Sequence, residues 1–193
     1  MNAYGRQLLT SLRFLFFTTI LLGLAYPALV FGIGQLVAPA QANGSIITVS
    51  GQPAGSSLLA QPVTGPAYFY PRPSAVGWDP STSSASNLGP SQRALAKAIA
   101  ANRAVVARRE DVPPASVPLD AVTASGSGLD PDISVAYAAQ QEPRVAGATG
   151  LGNAKVRELV AASTSRGFNA FLGQPSVNTT TLNAALQQAM ARP

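Results

Sequence analysis

The chain of 193 residues contains no cysteine and no histidine. Without cysteine there is no disulfide framework and no thiol chemistry, and without either residue the usual ligands of a zinc site are missing. The absence of histidine also removes the commonest general base. Lack of cysteine assigns no compartment, but it suits an oxidising one, where stray thiols are a liability. Charge is sparse: 13 basic and 8 acidic residues give a formal net charge of +5. Arg6 and Arg13 stand near the N-terminus, and the residues after them carry only +3. The one adjacent basic pair, Arg108-Arg109, is followed at once by Glu110-Asp111. A nucleic-acid footprint needs a basic stripe interleaved with aromatics, so nucleic acid is not expected as a partner.

What the chain does have is one long apolar run. Phe14 to Val37 is 24 residues without a charge. At about 1.5 Å per residue a helix of this length covers roughly 36 Å, enough to cross a bilayer core of about 30 Å with some tilt. A cleaved signal peptide is the alternative, since Ala38-Pro39-Ala40-Gln41-Ala42 holds A-x-A-like patterns. Signal cores are shorter, about 7–15 residues, so an uncleaved anchor is expected. Pro27, Gly32 and Gly34 fit a membrane helix better than a soluble one. Arg6 and Arg13 precede the run, and the next charge after it is Arg72. This bias places the N-terminus in the cytoplasm and the bulk of the chain outside. Gly23 and Gly32 let another helix approach closely within lipid, which makes them candidates for a partner interface.

After the run, residues 38–92 are rich in Gly, Pro, Ser and Gln. The patches Ile46-Ile47-Thr48-Val49, Ser57-Leu58-Leu59 and Tyr68-Phe69-Tyr70 predict two or three short strands. From Ser91 the texture turns helical. Helices are predicted over Ser91–Arg109, with Leu95, Ile99 and Val106 on one face, and over Pro131–Gln141, opened by Asp130 as N-cap and ended by Pro143. Two more are predicted over Asn153–Ser165 and from Asn178 or Thr179 to Met190. All strands are expected before Ser91 and most helices after it. The predicted fold class is α+β: a single N-terminal transmembrane helix followed by one extracytoplasmic mixed α/β domain. Its divisions are a short cytoplasmic tail (1–10), the transmembrane helix (11–37) and the extracytoplasmic domain (38–193).

Three stretches carry candidate chemistry. Gly147-Ala148-Thr149-Gly150-Leu151-Gly152-Asn153-Ala154-Lys155 resembles a phosphate-cradling loop, but Asn153 follows Gly152 where a P-loop needs lysine, so a glycine turn before a helix is expected. Val122 to Asp132 is dense in small and hydroxyl residues. Thr123, Ser125 and Ser127 with the start of the next helix form a nest for an anion or for another chain's carbonyls, Asp130 and Asp132 attract a cation, or the stretch is a capped turn. Tyr68-Phe69-Tyr70-Pro71-Arg72 joins aromatics to a proline-stiffened arginine, either as a partner-binding edge or as an ordinary edge strand. Serine catalysis lacks a base, since neither Lys97 nor Lys155 sits in a Ser-x-x-Lys motif. Paired carboxylates, for example Asp120 with Asp130 or Asp132, are the other route to hydrolysis, and nothing in the spacing supports that over solvated surface charge. No catalytic, cofactor or metal residue is assigned.

Several segments, in order, resemble the C subunit of the bacterial Kdp potassium-transporting ATPase. They are Gln41-Ala42-Asn43-Gly44-Ser45, Gly55 to Gln61, Phe69 to Ala75, Ser86 to Ser91, Val122 to Ser134, Arg144-Val145-Ala146, and Gly173 to Asn178 with Leu182-Asn183 and Ala185-Leu186. Together they reach from the membrane helix almost to the C-terminus. The resemblance implies a non-catalytic accessory subunit of a high-affinity, ATP-driven potassium uptake complex in the bacterial inner membrane. It implies as partners a channel-like potassium-translocating subunit, a P-type ATPase subunit and a small hydrophobic subunit, besides the lipid bilayer. It also implies a role as a catalytic chaperone that aids assembly and raises the ATP affinity of the ATPase subunit. ATP then enters only through that subunit, because a domain outside the membrane cannot touch cytoplasmic ATP. Tyr68, Phe69, Tyr70, Arg72, Thr123, Ser125, Ser127, Asp130, Asp132 and Arg144 complete the candidate interface. A membrane-anchored periplasmic binding module or hydrolase is the alternative function.

Overall fold

The computed structural model describes residues 3–165 and 173–191. The chain divides into two compact units, Met1–Ser45 and Ile46–Pro193.

The described part of the first unit is helical apart from Ala38 and residues 43–45. Helix α1 (Ala3–Ile20) passes through a π-helical turn (Leu21–Ala25) into α2 (Tyr26–Val37), and the short α3 (Pro39–Ala42) follows. The run Ala3–Val37 is 35 residues long, apolar enough to cross a membrane, and has no buried residue. Helix therefore begins eight residues before the expected start at Ser11, carrying Arg6 and Arg13 with it. The π-turn has a local cause. In α-helical register the Pro27 ring would press on the carbonyl of Gly23 and offer it no N–H. The wider turn shifts the register, with the Tyr26 N–H bonding to Leu21 O. Thr18 Oγ1 donates to Phe14 O at 2.9 Å, so its hydroxyl is satisfied within the helix.

The second unit opens with a hairpin of β1 (Ile46–Val49) and β2 (Gln52–Ser56). Ser50 and Gly51 make its turn, both at positive φ (51° and 79°), which suits the right-handed twist of the strands. A bulge between Ile47 and Thr48 shifts the register. Gly55 (φ 145°) lies under Gln61, whose side-chain nitrogen occupies the place of a Cβ at 1.9 Å. Ser57-Leu58-Leu59, expected as a strand, forms a turn instead. Tyr68-Phe69-Tyr70 is also not a strand: its backbone is held by side-chain amides. Asn183 accepts from Phe69 N (2.8 Å) and donates to Phe69 O (2.9 Å). Gln141 does the same for Tyr70, at 2.8 and 3.1 Å. Two carboxamides thus replace a neighbouring strand.

Helix α4 (Arg93–Glu110) ends on Asp111 in the left-handed conformation, and matches the expected helix closely. The region expected as Pro131–Gln141 folds differently. Asp132–Ser134 is strand β3, and α5 (Val135–Thr149) starts from Ser134 as N-cap, whose Oγ accepts from Tyr137 N at 3.0 Å. Pro143 lies inside α5 and does not end it. Pro143 is on the exposed face, as is Ala139, whose carbonyl loses its helical donor to the proline. Water can serve that carbonyl, while Gln141, Glu142, Val145 and Ala146 are buried on the other side. Helix α6 (Asn153–Ala162), strand β4 (Ser176–Asn178) and α7 (Thr179–Met190) follow. Strands β3 and β4 pair antiparallel, Ile133 opposite Val177, and Thr164 bridges to the far side of Val177. Strands after Ser91 thus correct the expectation that all precede it. At three residues each they are too short to show an alternating pattern.

The core lies between α5, α6, α7 and the β3–β4 pair. Ile133, Tyr137, Val145, Val156, Val177, Leu182 and Leu186 are each at most 2% exposed. Phe69 enters it from the irregular segment and Val106 from the end of α4. The molecule is therefore mixed helix and strand with one long apolar helix at its N-terminus, in line with the expected class.

Candidate functional site

Small residues in 122–132 are small because two loops meet there. Gly128 has φ 73°, and a Cβ on it would stand 2.6 Å from Val76 Cγ2 and 2.9 Å from Ser84 O. Ser74 Oγ donates to Gly128 O (2.7 Å), Ser84 N to Ser127 O (3.0 Å) and Ser125 N to Pro73 O (3.0 Å). Ser125 is 2% exposed and belongs to this packing, not to a surface. Ser127 Oγ accepts from Leu129 N, and Asp130 Oδ1 accepts from Asp132 N at 3.0 Å. The N–H groups of Ser125, Leu129 and Asp132 are thus used within the fold.

The same contact carries Arg72 across to Asp130. Arg72 Nη1 lies 3.3 Å from Asp130 Oδ2 and Nη2 donates to Ala124 O at 3.4 Å. Trp78 Nε1 donates to Arg72 O at 3.2 Å and steadies the backbone. Arg72 Nε is buried and has no partner among the described residues. The pair sits on an open groove that also includes Asp120, Thr123, Asp132, Gln174 and Ser176. Asp120 is committed to the fold, since its two oxygens accept from Ser134 N (2.8 Å) and Ser134 Oγ (2.9 Å). Asp132 accepts from Ser176 Oγ at 3.2 Å. Burial raises the Asp132 carboxyl above its ordinary pKa; the Ser176 hydrogen bond opposes this, the Asp130 charge adds to it and the Asn178 hydrogen bond opposes it. Among the described residues no three Asp, Glu, His or Cys converge as a metal cluster.

The aromatic end is a different structure. Glu110, with a fully buried carboxylate, bonds Arg109 Nε (2.6 Å) and Arg144 Nε (2.8 Å). Arg144 also donates to the carbonyls of Tyr68 (2.9 Å) and Pro66, and to Gln141 Oε1 (2.8 Å). The Arg109 guanidinium lies 3.8 Å from the Tyr70 ring centroid and that of Arg144 5.1 Å. Arg109 Nη2 donates to the Tyr137 hydroxyl at 2.6 Å. Burial pushes the Tyr137 phenol above its ordinary pKa, partly offset by Arg109, so it stays neutral as an acceptor.

Of the sequence-predicted residues, the fold brings Arg72, Thr123, Asp130 and Asp132 into one groove. It places Tyr70 and Arg144 in the buried ion cluster. Phe69 is fully buried and is a core residue rather than an exposed anchor. Tyr68 is half-buried, its hydroxyl accepting from Gln187 at 3.3 Å. Ser127 is exposed beside the groove's loop. Gly23 and Gly32 lie on the apolar helix, where a Cβ would meet only Thr19 Cγ2 at 4.0 Å, or nothing within 4 Å. Sequence reasoning missed Glu110, Arg109, Gln141 and Asn183 as organising residues. The one local signal was the charge-dense run Arg108 to Asp111. Gly150 (φ 72°) and Gly152 (φ 76°) turn the chain between α5 and α6, as the glycine-turn reading expected.

Residues 8–188 match the family model described as "K+-transporting ATPase, c chain". The potassium-transporting ATPase KdpC subunit of Kineococcus radiotolerans is 48% identical over 95% of this chain and 94% of its own length. The KdpC subunit of Caulobacter vibrioides is 48% identical over 87% of this chain and 86% of its own. That of Mycobacterium tuberculosis is 44% identical over 95% and 98%. The chain belongs to the family of c chains, or KdpC subunits, of potassium-transporting ATPases.

Proposed function

We propose that this subunit is non-catalytic and acts as a docked cap. Residues 1–10 stay in the cytoplasm, 11–37 span the inner membrane, and 38–193 rest on the outer face of the potassium-translocating subunit. The bias of Arg6 and Arg13 supports this orientation. By holding the translocating subunit, the P-type ATPase subunit and a small hydrophobic subunit together, it stabilises assembly. It raises the ATP affinity of the ATPase subunit indirectly, since Gly147 to Lys155 lacks the lysine and hydroxyl of a P-loop.

The observation that carries the reading is the Arg72–Asp130 pair at the groove. Its side chains are 26% and 35% exposed, open enough to meet a partner, and Arg72 keeps one buried donor without an acceptor among the described residues. An arginine fork held on a proline-stiffened segment has the features of an interface anchor. Asp130 and Asp132 add local cation attraction of short range, because the Debye length is about 8 Å at physiological salt. The test is copurification and transport. Arg72→Ala should loosen the complex, while Asp132→Asn should leave potassium affinity nearly unchanged. Normal assembly of Arg72→Ala together with a large loss of potassium affinity in Asp132→Asn would reverse that order. Activity of the subunit alone would favour the anchored binding module or hydrolase.

A further inference from the structure

Helix α4 carries a second surface that the groove does not use. Its inward side holds Val106 and Glu110, with Ile99 half-buried. At 100° per residue, Arg93, Lys97 and Arg108 fall within a narrow arc on the opposite side. All three are exposed, and Ala101 beside them is exposed too. The helix has no acidic residue before Glu110. None of the three takes part in an ion pair among the described residues. Arg93 stands in the first turn, where the helix dipole disfavours a cation, and no acidic side chain there compensates. The result is a row of positive charge about 22 Å long, with the exposed carboxylate of Asp111 only at its C-terminal cap. Alanines between the cations keep the row low, so that Lys and Arg stems can lie flat along it.

We infer that this face of α4 rests on the headgroups of anionic lipids. Three features select a lipid surface over other anions. The chain carries a helix able to span a bilayer, so a membrane is always within reach of the domain. The row runs along one side of a single helix, as contact with a planar array of phosphates requires. No aromatic side chain of α4 interleaves it, which separates it from a nucleic-acid surface. Long-range attraction, not insertion, does the holding, since Ile99 and Val106 face inward.

The absence of native cysteine makes the test direct. The full-length subunit with Ala101→Cys, fluorophore-labelled, is placed in nanodiscs of phosphatidylcholine alone or with phosphatidylglycerol, and its accessibility to a water-soluble quencher is measured. The label should be shielded only in the anionic discs. Each basic residue near an anionic surface is worth about fivefold in the docked-to-free ratio, so Arg93→Gln, Lys97→Gln and Arg108→Gln together should lower it about a hundredfold. Roughly 1 M salt, with a Debye length of about 3 Å, should release the label as well. Circular dichroism of the triple variant verifies that α4 is intact. Equal quenching in both lipids, or shielding that survives the triple substitution, overturns the inference. So does a triple variant that behaves normally on lipid but no longer copurifies with the complex, because the row would then face an acidic protein surface.

Discussion

Glu110 shows how much one side chain can organise. Its carboxylate is fully buried and is neutralised by two arginines, which also hold Tyr70, Tyr137 and the carbonyls of segment 66–68. Removing one partner from a buried pair strands the other charge, at a cost of about 3–5 kcal/mol. Glu110→Ala should therefore lower the melting temperature sharply, while the exposed pair Lys155–Glu158 should prove nearly silent to Glu158→Ala. A thermal melt of the two variants in the same detergent decides this. Asp132 is the opposite case. Its folded-state pKa is raised, so the ionised form costs stability, and the cost disappears as pH falls through the folded value. Asp132→Asn removes the charge and keeps an acceptor for Ser176. The variant should melt above the wild type at about pH 7.5, and the gap should close near pH 4, where carboxylates titrate. A wild type that is the more stable at neutral pH would show that Asp132 gains more from its hydrogen bonds than burial costs it.

Among the elements, α5 departs most from its local rules. A proline inside a helix costs about 3 kcal/mol relative to alanine. Here the helix continues because its buried side and Arg144 join the core and the ion cluster on either side of Pro143. Pro143→Ala should raise the melting temperature without altering the fold, since the ring faces solvent. A fall would mean that the proline sets the direction in which Arg144 reaches Glu110. The π-turn at Leu21–Ala25 accommodates Pro27 inside the apolar helix in a comparable way.

For the whole molecule, the question is how a single helix and a domain of about 150 residues attach to a larger complex. In lipid, helices associate by close packing rather than by hydrophobicity. Within the helical unit, among the described residues, a Cβ on Gly23 would meet only Thr19 Cγ2 at 4.0 Å and one on Gly32 nothing within 4 Å, so adding bulk does not disturb the helix itself. Gly23→Leu or Gly32→Leu should therefore lower copurification with the translocating subunit and leave the melt of the isolated subunit unchanged. Normal copurification of both variants would assign attachment to the domain alone, through the groove at Arg72.

The sequence by itself determined the long apolar helix, because length and hydropathy need no neighbours. It determined α4, α6 and α7, whose apolar spacing is local, and in α7 the cap is local too, Asn178 Oδ1 accepting from Thr181 N at 3.0 Å. Family membership was legible in the ordered motifs. Tertiary structure decided the rest through contacts between residues far apart in the chain. Arg72 meets Asp130 at a separation of 58 residues, Tyr70 meets Gln141 at 71, and Phe69 meets Asn183 at 114. These contacts turned an expected strand at Tyr68–Tyr70 into a segment gripped by amides. They carried α5 past its proline, and they made β3 and β4 from segments too short for any periodicity to announce them. A local pattern reports which face of an element is apolar, but a distant partner decides which backbone groups it satisfies and which side chains it buries.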